Sequence, residues 1–320
     1  MNPTVRNIFF NPELQTIRAG WRIAMMLAVF IAGNAVITGP IMALLKDVPG
    51  LPKNTIGTGL AYIVLTLATW VVLRFVDKRP FHSVGLSFKA NWGKELFQGL
   101  LFGSSMMSLI YLIEYSSGMV VIEFRDLTMD QSMVIFISSF CLYVIVGYGE
   151  ELMFRGYLFQ AFAEGTNTLI ATLTLSLLFA AAHMGNPNVS VFGIVNVGLA
   201  GMWLSLAYIK TKALWLPIGL HISWNFFQGF VYSYPVSGTT SPNSQIGTAV
   251  VSGPEWITGG TFGPEGGILA TIMLILCSVL IYRWNWVNAS PDVWRYEQWK
   301  EQRLQSLTPA PVEPEQTQTS

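Results

Sequence analysis

Eight apolar runs separated by short polar stretches organise this chain. They fall at roughly 20–45, 57–76, 96–116, 132–163, 166–184, 189–209, 213–233 and 267–287, and most approach the ~20 residues a helix needs to cross the apolar core of a bilayer. The pattern predicts an all-α fold: a polytopic membrane helical bundle of about eight transmembrane helices. The fourth run is long, ~48 Å at 1.5 Å per residue, so it is expected to tilt or to project beyond the membrane. Pro217 stands near the start of the seventh, where a proline is tolerated. The first run begins near Gly20 with no small-residue cleavage site after it, and reads as an uncleaved span.

The same pattern divides the chain into a cytoplasmic N-terminal segment (1–19), one transmembrane domain (20–289) and a cytoplasmic tail (290–320) whose end, TPAPVEPEQTQTS, is expected to be disordered. Between the last two runs, 235–266 is rich in Gly, Pro, Ser and Thr, with Glu255 and Glu265 its charged residues. It reads as a long outer loop, more a plain connector than a lid.

Composition supports a single membrane domain. Of 320 residues, 52% are hydrophobic and 11% charged, with a mean hydropathy of +0.48; soluble domains carry ~25% charged residues. The formal net charge is zero, which gives no reason to expect a nucleic-acid partner. Basic residues are unevenly placed. Arg6, Arg18, Arg22, Arg74, Lys78, Arg79, Lys89, Lys94, Lys210, Lys212, Arg283, Arg295, Lys300 and Arg303 fall on one set of alternating segments, whereas the other set holds Lys46, Lys53 and Arg125. The positive-inside rule then puts both termini in the cytoplasm. Cys141 and Cys277 lie in apolar runs without a C-x-x-C, and read as small buried hydrophobes. Trp284, Trp286, Trp294 and Trp299 read as interface anchors. Gly99 and Gly103 form a G-x-x-x-G, read as a close helix contact. There is no internal repeat and no phosphate-binding glycine loop.

Against this background a few polar residues inside the runs stand out, because an ionisable group at bilayer depth costs ~2.5 kcal/mol or more. GYGEELMFRG places Glu150, Glu151 and Arg155 in the fourth run. Glu151 and Arg155, four apart, share a helix face and can pair. Glu150 is turned ~100° away and can stay free. His183, in LLFAAAHMGN, follows Phe179 by four, and His221, in WLPIGLHISWN, precedes Asn225 by four. Each feature alone also has a packing explanation, as an ion pair or a helix–helix hydrogen bond. Together they make a set a hydrolase can use. Glu or His can take a proton from water, neutral imidazoles can bind a divalent metal, and an asparagine can donate to an oxyanion.

The order E-E-x-x-x-R-G (Glu150–Gly156), F-x-x-x-H (Phe179–His183), H-x-x-x-N (His221–Asn225) resembles the CAAX protease and bacteriocin-processing family, intramembrane peptidases related to the CAAX prenyl endopeptidase and called the abortive-infection family in bacteria. The core resemblance covers about 130–235, and RPFHSVGLS resembles the family's loop between its second and third spans. It implies a helical bundle with the site in a cavity among the motif helices, a bilayer environment in a bacterial inner membrane, and a peptide or protein substrate. Carried over residue by residue, Glu150 and His221 would activate water, His183 would complete the site, and Asn225 would stabilise the oxyanion. Glu151, Arg155 and Phe179 would support them. Zinc on His183, His221 and Glu150 is one version of that chemistry and a metal-free glutamate mechanism the other. The rival classes are a non-catalytic membrane binding or immunity protein and a proton-coupled transporter.

Overall fold

The structure, a computed structural model, describes residues 3–48, 51–89, 91–241, 244–285, 287–289 and 296–307. Each of the eight apolar runs forms a helix. They are α1 (Ala19–Leu45), α2 (Lys53–Asp77), α3 (Trp92–Ser116), α4 (Met129–Gly165), α5 (Thr168–Ala182), α6 (Val191–Thr211), α7 (215–231) and α8 (Ile268–Arg283). A short helix, Pro3–Phe9, precedes them, and α9 (Tyr296–Leu307) follows. Strand is confined to two small antiparallel ribbons among the described residues: β1 (Phe10–Asn11) with β2 (Thr16–Ile17), and β3 (Val120–Phe124) with β4 (Gly247–Val251). The protein is an all-α, multi-pass integral membrane protein. By length and composition, α1, α2, α3, α4 and α6 can cross a membrane, while α5 and α8 are shorter apolar helices of 15 and 16 residues.

The helix α7 is different: none of residues 215–231 is exposed. Its closest neighbour is α3, and glycine makes the approach possible. A Cβ on Gly99 would lie 2.4 Å from the Leu216 carbonyl oxygen, and one on Gly219 would lie 2.4 Å from that of Leu96. The G-x-x-x-G of α3 is thus a close helix contact, with Gly219 as its counterpart on α7. Ser223 Oγ seals the seam, donating to Gly219 O at 2.8 Å and lying 3.2 Å from Gly99 O.

Two departures from the expected spans matter for the site. First, α4 does not run straight. A capping box of Thr128 and Gln131 starts it, but a π-helical turn, Leu152–Tyr157, interrupts it, and Gly156 leaves helical geometry (φ −79°, ψ −118°). The long fourth run is thus a broken helix. Second, the turn between α6 and α7 lies inside the protein. Leu214 is fully buried and donates its N–H to Gly85 O at 2.9 Å, and Trp215 Nε1 donates to Ser87 O at 2.7 Å. Gly85 has φ +102°, with its Cβ position 3.0 Å from the Ala213 Cα, so the segment below the turn needs glycine there. Because this turn is recessed, His221 reaches the depth of Glu150 although it is only six residues into its helix.

At the end of the bundle shared by Arg22 and Glu164, ion pairs join three helices. Arg22 binds Asp77 (3.2 Å) and Glu164, and Arg79 binds Glu164 (3.0 Å) and Gln160. At the opposite end, 235–266 is not the plain connector expected. It carries β4, a one-turn helix (Glu255–Thr258) and two 3₁₀ turns. Asn196 on α6 fastens it, donating to Glu265 O (2.8 Å) and Gly267 O (2.9 Å). Cys277 is buried, but Cys141 is exposed on α4, contrary to expectation. Trp284 packs edge-on against Phe102 at 5.4 Å, and Trp299 lies under the Arg79 guanidinium, so both pack against the protein itself. Trp286, Trp294, Arg295 and the tail expected to be disordered lie outside the described residues.

Candidate active site

The motif GYGEE begins with glycines because two other helices need to come close. A Cβ on Gly147 would meet Ile222 of α7 at 2.6 Å, and one on Gly149 would fall within 2.1 Å of the Tyr62 ring of α2. Packed this way, α4 presents its two glutamates to different surroundings.

Glu151 points into protein. Its Oε1 accepts from Arg155 Nη1 at 3.0 Å and lies 2.8 Å from His221 Nδ1. Arg155 is fully buried. Its Nη2 donates to Gly201 O at 3.0 Å, Ser205 Oγ lies 3.5 Å from its Nε, and its guanidinium stacks over the Phe179 ring at 4.6 Å. Glu150 faces the other way. Its Oε1 is 3.5 Å from the Tyr62 hydroxyl, and its Oε2 is 3.7 Å from His221 Nε2, too long for a direct hydrogen bond. The imidazole of His221 therefore stands between the two carboxylates, its Nδ1–H directed to Glu151 and its Nε2 turned toward Glu150. Arg155 offsets one carboxylate charge and leaves the other.

His183 caps the end of α5. Its Nδ1–H donates to Phe179 O at 2.8 Å, which leaves Nε2 as the free ring nitrogen. The Phe179 ring touches both histidines, 4.7 Å from His183 and edge-on at 6.3 Å from His221. Asn225, one turn after His221, is buried, and its side-chain amide has no hydrogen-bond partner among the described residues.

Glu150, Phe179, His183, His221 and Asn225 border one cavity of about 630 Å³; Glu151 and Arg155 lie behind its wall. The sequence-derived residues thus come together, though unevenly. Glu150 and His221 face each other, whereas His183 forms no ion pair or hydrogen bond with either among the described residues. Nor does any group of three or more His, Cys, Asp or Glu side chains there stand in position to hold a metal ion. Glu150, His183 and His221, the set that one of the two versions would give to zinc, do not fit a metal in this arrangement.

Sequence reasoning missed several cavity residues. Tyr62 gives no signal, being one aromatic in an apolar run. Asn196 could have been found as the single amide within the sixth run. Glu265 was visible as a loop charge, but its place was not. Its Oε1 accepts from Trp224 Nε1 at 3.1 Å and its Oε2 from Ser237 N at 2.7 Å, which turns it into the cavity wall.

A multi-pass helical protein with a carboxylate–imidazole pair in a cavity among its helices is the class defined by this geometry. Comparison with known proteins points the same way: residues 132–227 match the family model described as "Type II CAAX prenyl endopeptidase Rce1-like". Two Bacillus subtilis proteins are similar along much of their length. "Uncharacterized protein YyaK" is 26% identical over 245 residues, covering 71% of this chain and 81% of the relative. "Putative membrane peptidase YdiL" is 24% identical over 204 residues, covering 61% and 78%. No solved structure matches the chain.

Proposed function

We propose that this protein is a membrane-embedded endopeptidase that hydrolyses a peptide bond of a polypeptide entering the cavity. The observation that carries this reading is the Glu150–His221 pair, 3.7 Å apart, with Glu151 behind the imidazole. A water between Glu150 Oε2 and His221 Nε2 can touch both. One of them takes its proton as the oxygen bonds to the amide carbon. Glu151, neutralised by Arg155, holds the imidazole so that Nε2 points at the reacting water, as a carboxylate orients a histidine in hydrolytic triads. The carbonyl oxygen becomes an oxyanion, to which the Asn225 amide can donate. Breakage of the C–N bond then returns the proton to the leaving amine. His183 Nε2 borders the same space and can position substrate.

The test is cleavage of a fluorogenic peptide library by the purified protein in lipid nanodiscs, comparing the wild type with Glu150→Gln and His221→Ala. Cleavage by the wild type alone is expected. Equal cleavage by Glu150→Gln sinks the reading and favours a non-catalytic binding protein. A zinc-assisted version would need His183 to swing toward Glu150 and His221. Millimolar chelator is expected to leave the rate within about twofold, the scatter of such assays, whereas loss restored by added zinc overturns the metal-free form.

A further inference from the structure

The cavity is closed at one end of the bundle and open at the other. Toward the Arg22–Glu164 end it is floored by apolar core: Leu152 and Leu214 are fully buried and pack in one cluster with Ile218. Toward the other end it is walled by Asn54 and Thr55 at the start of α2 and by Thr240, Ser241 and Ser244 of the stretch 235–266. These are small polar side chains, suited to a wet entrance.

The two ends also differ in charge. On the closed side lie Arg18, Arg22, Arg79, Lys89, Lys210 and Lys212; there the Arg22 and Arg79 ion pairs tie helices together, and the Leu214–Gly85 hydrogen bond ties the α6–α7 turn to the loop at 85–87. On the open side the described basic residues are Lys46, Lys53 and Arg125, of which Lys53 donates to Lys46 O and Arg125 to Gln245 O. Since the basic end of a multi-pass protein stays in the cytoplasm, the mouth faces away from it.

We propose that the site is loaded from the extracytoplasmic side, so that its substrate is a segment of an exported polypeptide and not a cytosolic chain. The proposal rests on the peptidase reading for the word substrate, but the side of the mouth is independent of catalysis.

The experiment keeps the two apart. In a variant lacking both cysteines (Cys141→Ser, Cys277→Ala), Thr240→Cys and His82→Cys are made singly and treated with a membrane-impermeant maleimide in spheroplasts. Thr240→Cys is expected to label at least tenfold faster than His82→Cys, which should react only after lysis. The reverse order overturns the proposal. Ser241→Cys and Lys89→Cys give a second pair should either variant fail to fold. Right-side-out and inverted vesicles are then given a fluorogenic peptide. Cleavage by right-side-out vesicles, absent with Glu150→Gln, is expected; cleavage by inverted vesicles alone overturns the proposal. Cleavage from neither face sinks the peptidase reading instead, while the labelling still decides the side.

Discussion

Among the described residues two charged clusters are buried in this bundle, and they are built differently. One joins Arg22, Asp77, Arg79 and Glu164; the other joins Glu150, Glu151, Arg155 and His221. The first has two guanidinium groups and two carboxylates, so it is neutral, and none of its members borders the large cavity. The second has one guanidinium group for two carboxylates, and two of its members, Glu150 and His221, open onto that cavity. Balanced and sealed charges act as a clamp between helices. Unbalanced charge beside a cavity is costly to keep, and what it offers in return is a place for a proton to go.

That contrast can be broken experimentally. Glu150→Gln keeps the shape and removes the proton acceptor; kcat/KM of peptide cleavage should fall by ~10³, within the usual range for acid–base groups, with the melting temperature unchanged. Glu151→Gln should lower kcat by ~10–100-fold by letting the imidazole turn, leave KM nearly as it was, and also lower the melting temperature, because buried Arg155 loses its ion-pair partner. Glu164→Gln, in the other cluster, should touch stability alone. It leaves Asp77 as the one carboxylate for both Arg22 and Arg79 and should cost ~3 kcal/mol of stability, read as an earlier thermal unfolding, while the activity of the folded fraction stays at wild-type level. Cys141→Ser, on the exposed face of α4, should change neither activity nor unfolding. If Glu164→Gln removed activity with no loss of stability, the division into clamp and site would fall.

How far the sequence discloses these clusters follows from distance along the chain. The Glu151–Arg155 pair is legible because i and i+4 fall on one helix face. The apolar runs give all eight helices for the same reason: lipid demands length and hydrophobicity locally. The partner of Glu151 is not legible, since His221 is 70 positions away and nothing local says which carboxylate its ring meets. The recessed α6–α7 turn hides likewise, because it depends on Gly85 and Ser87 approaching from another loop. Gly99 and Gly103 announce a close contact without naming Gly219 on the far side. The break at Gly156 escapes an argument from run length alone, as the residues around it stay apolar. The stretch 235–266 misleads by composition: its glycines make tight turns, such as Gly263 at φ +91°, not slack.

The burial of α7 has a consequence for how the protein senses its bilayer. A helix with no exposed residue answers mainly to its protein neighbours. Thinner or thicker lipid would press first on α5 and α8, short helices with exposed leucines and isoleucines such as Leu177 and Ile275. The imidazole at the heart of the bundle, shielded by α3, α4 and α6, would keep its place, and catalysis should hold steady across vesicles of differing acyl length until the outer helices themselves give way.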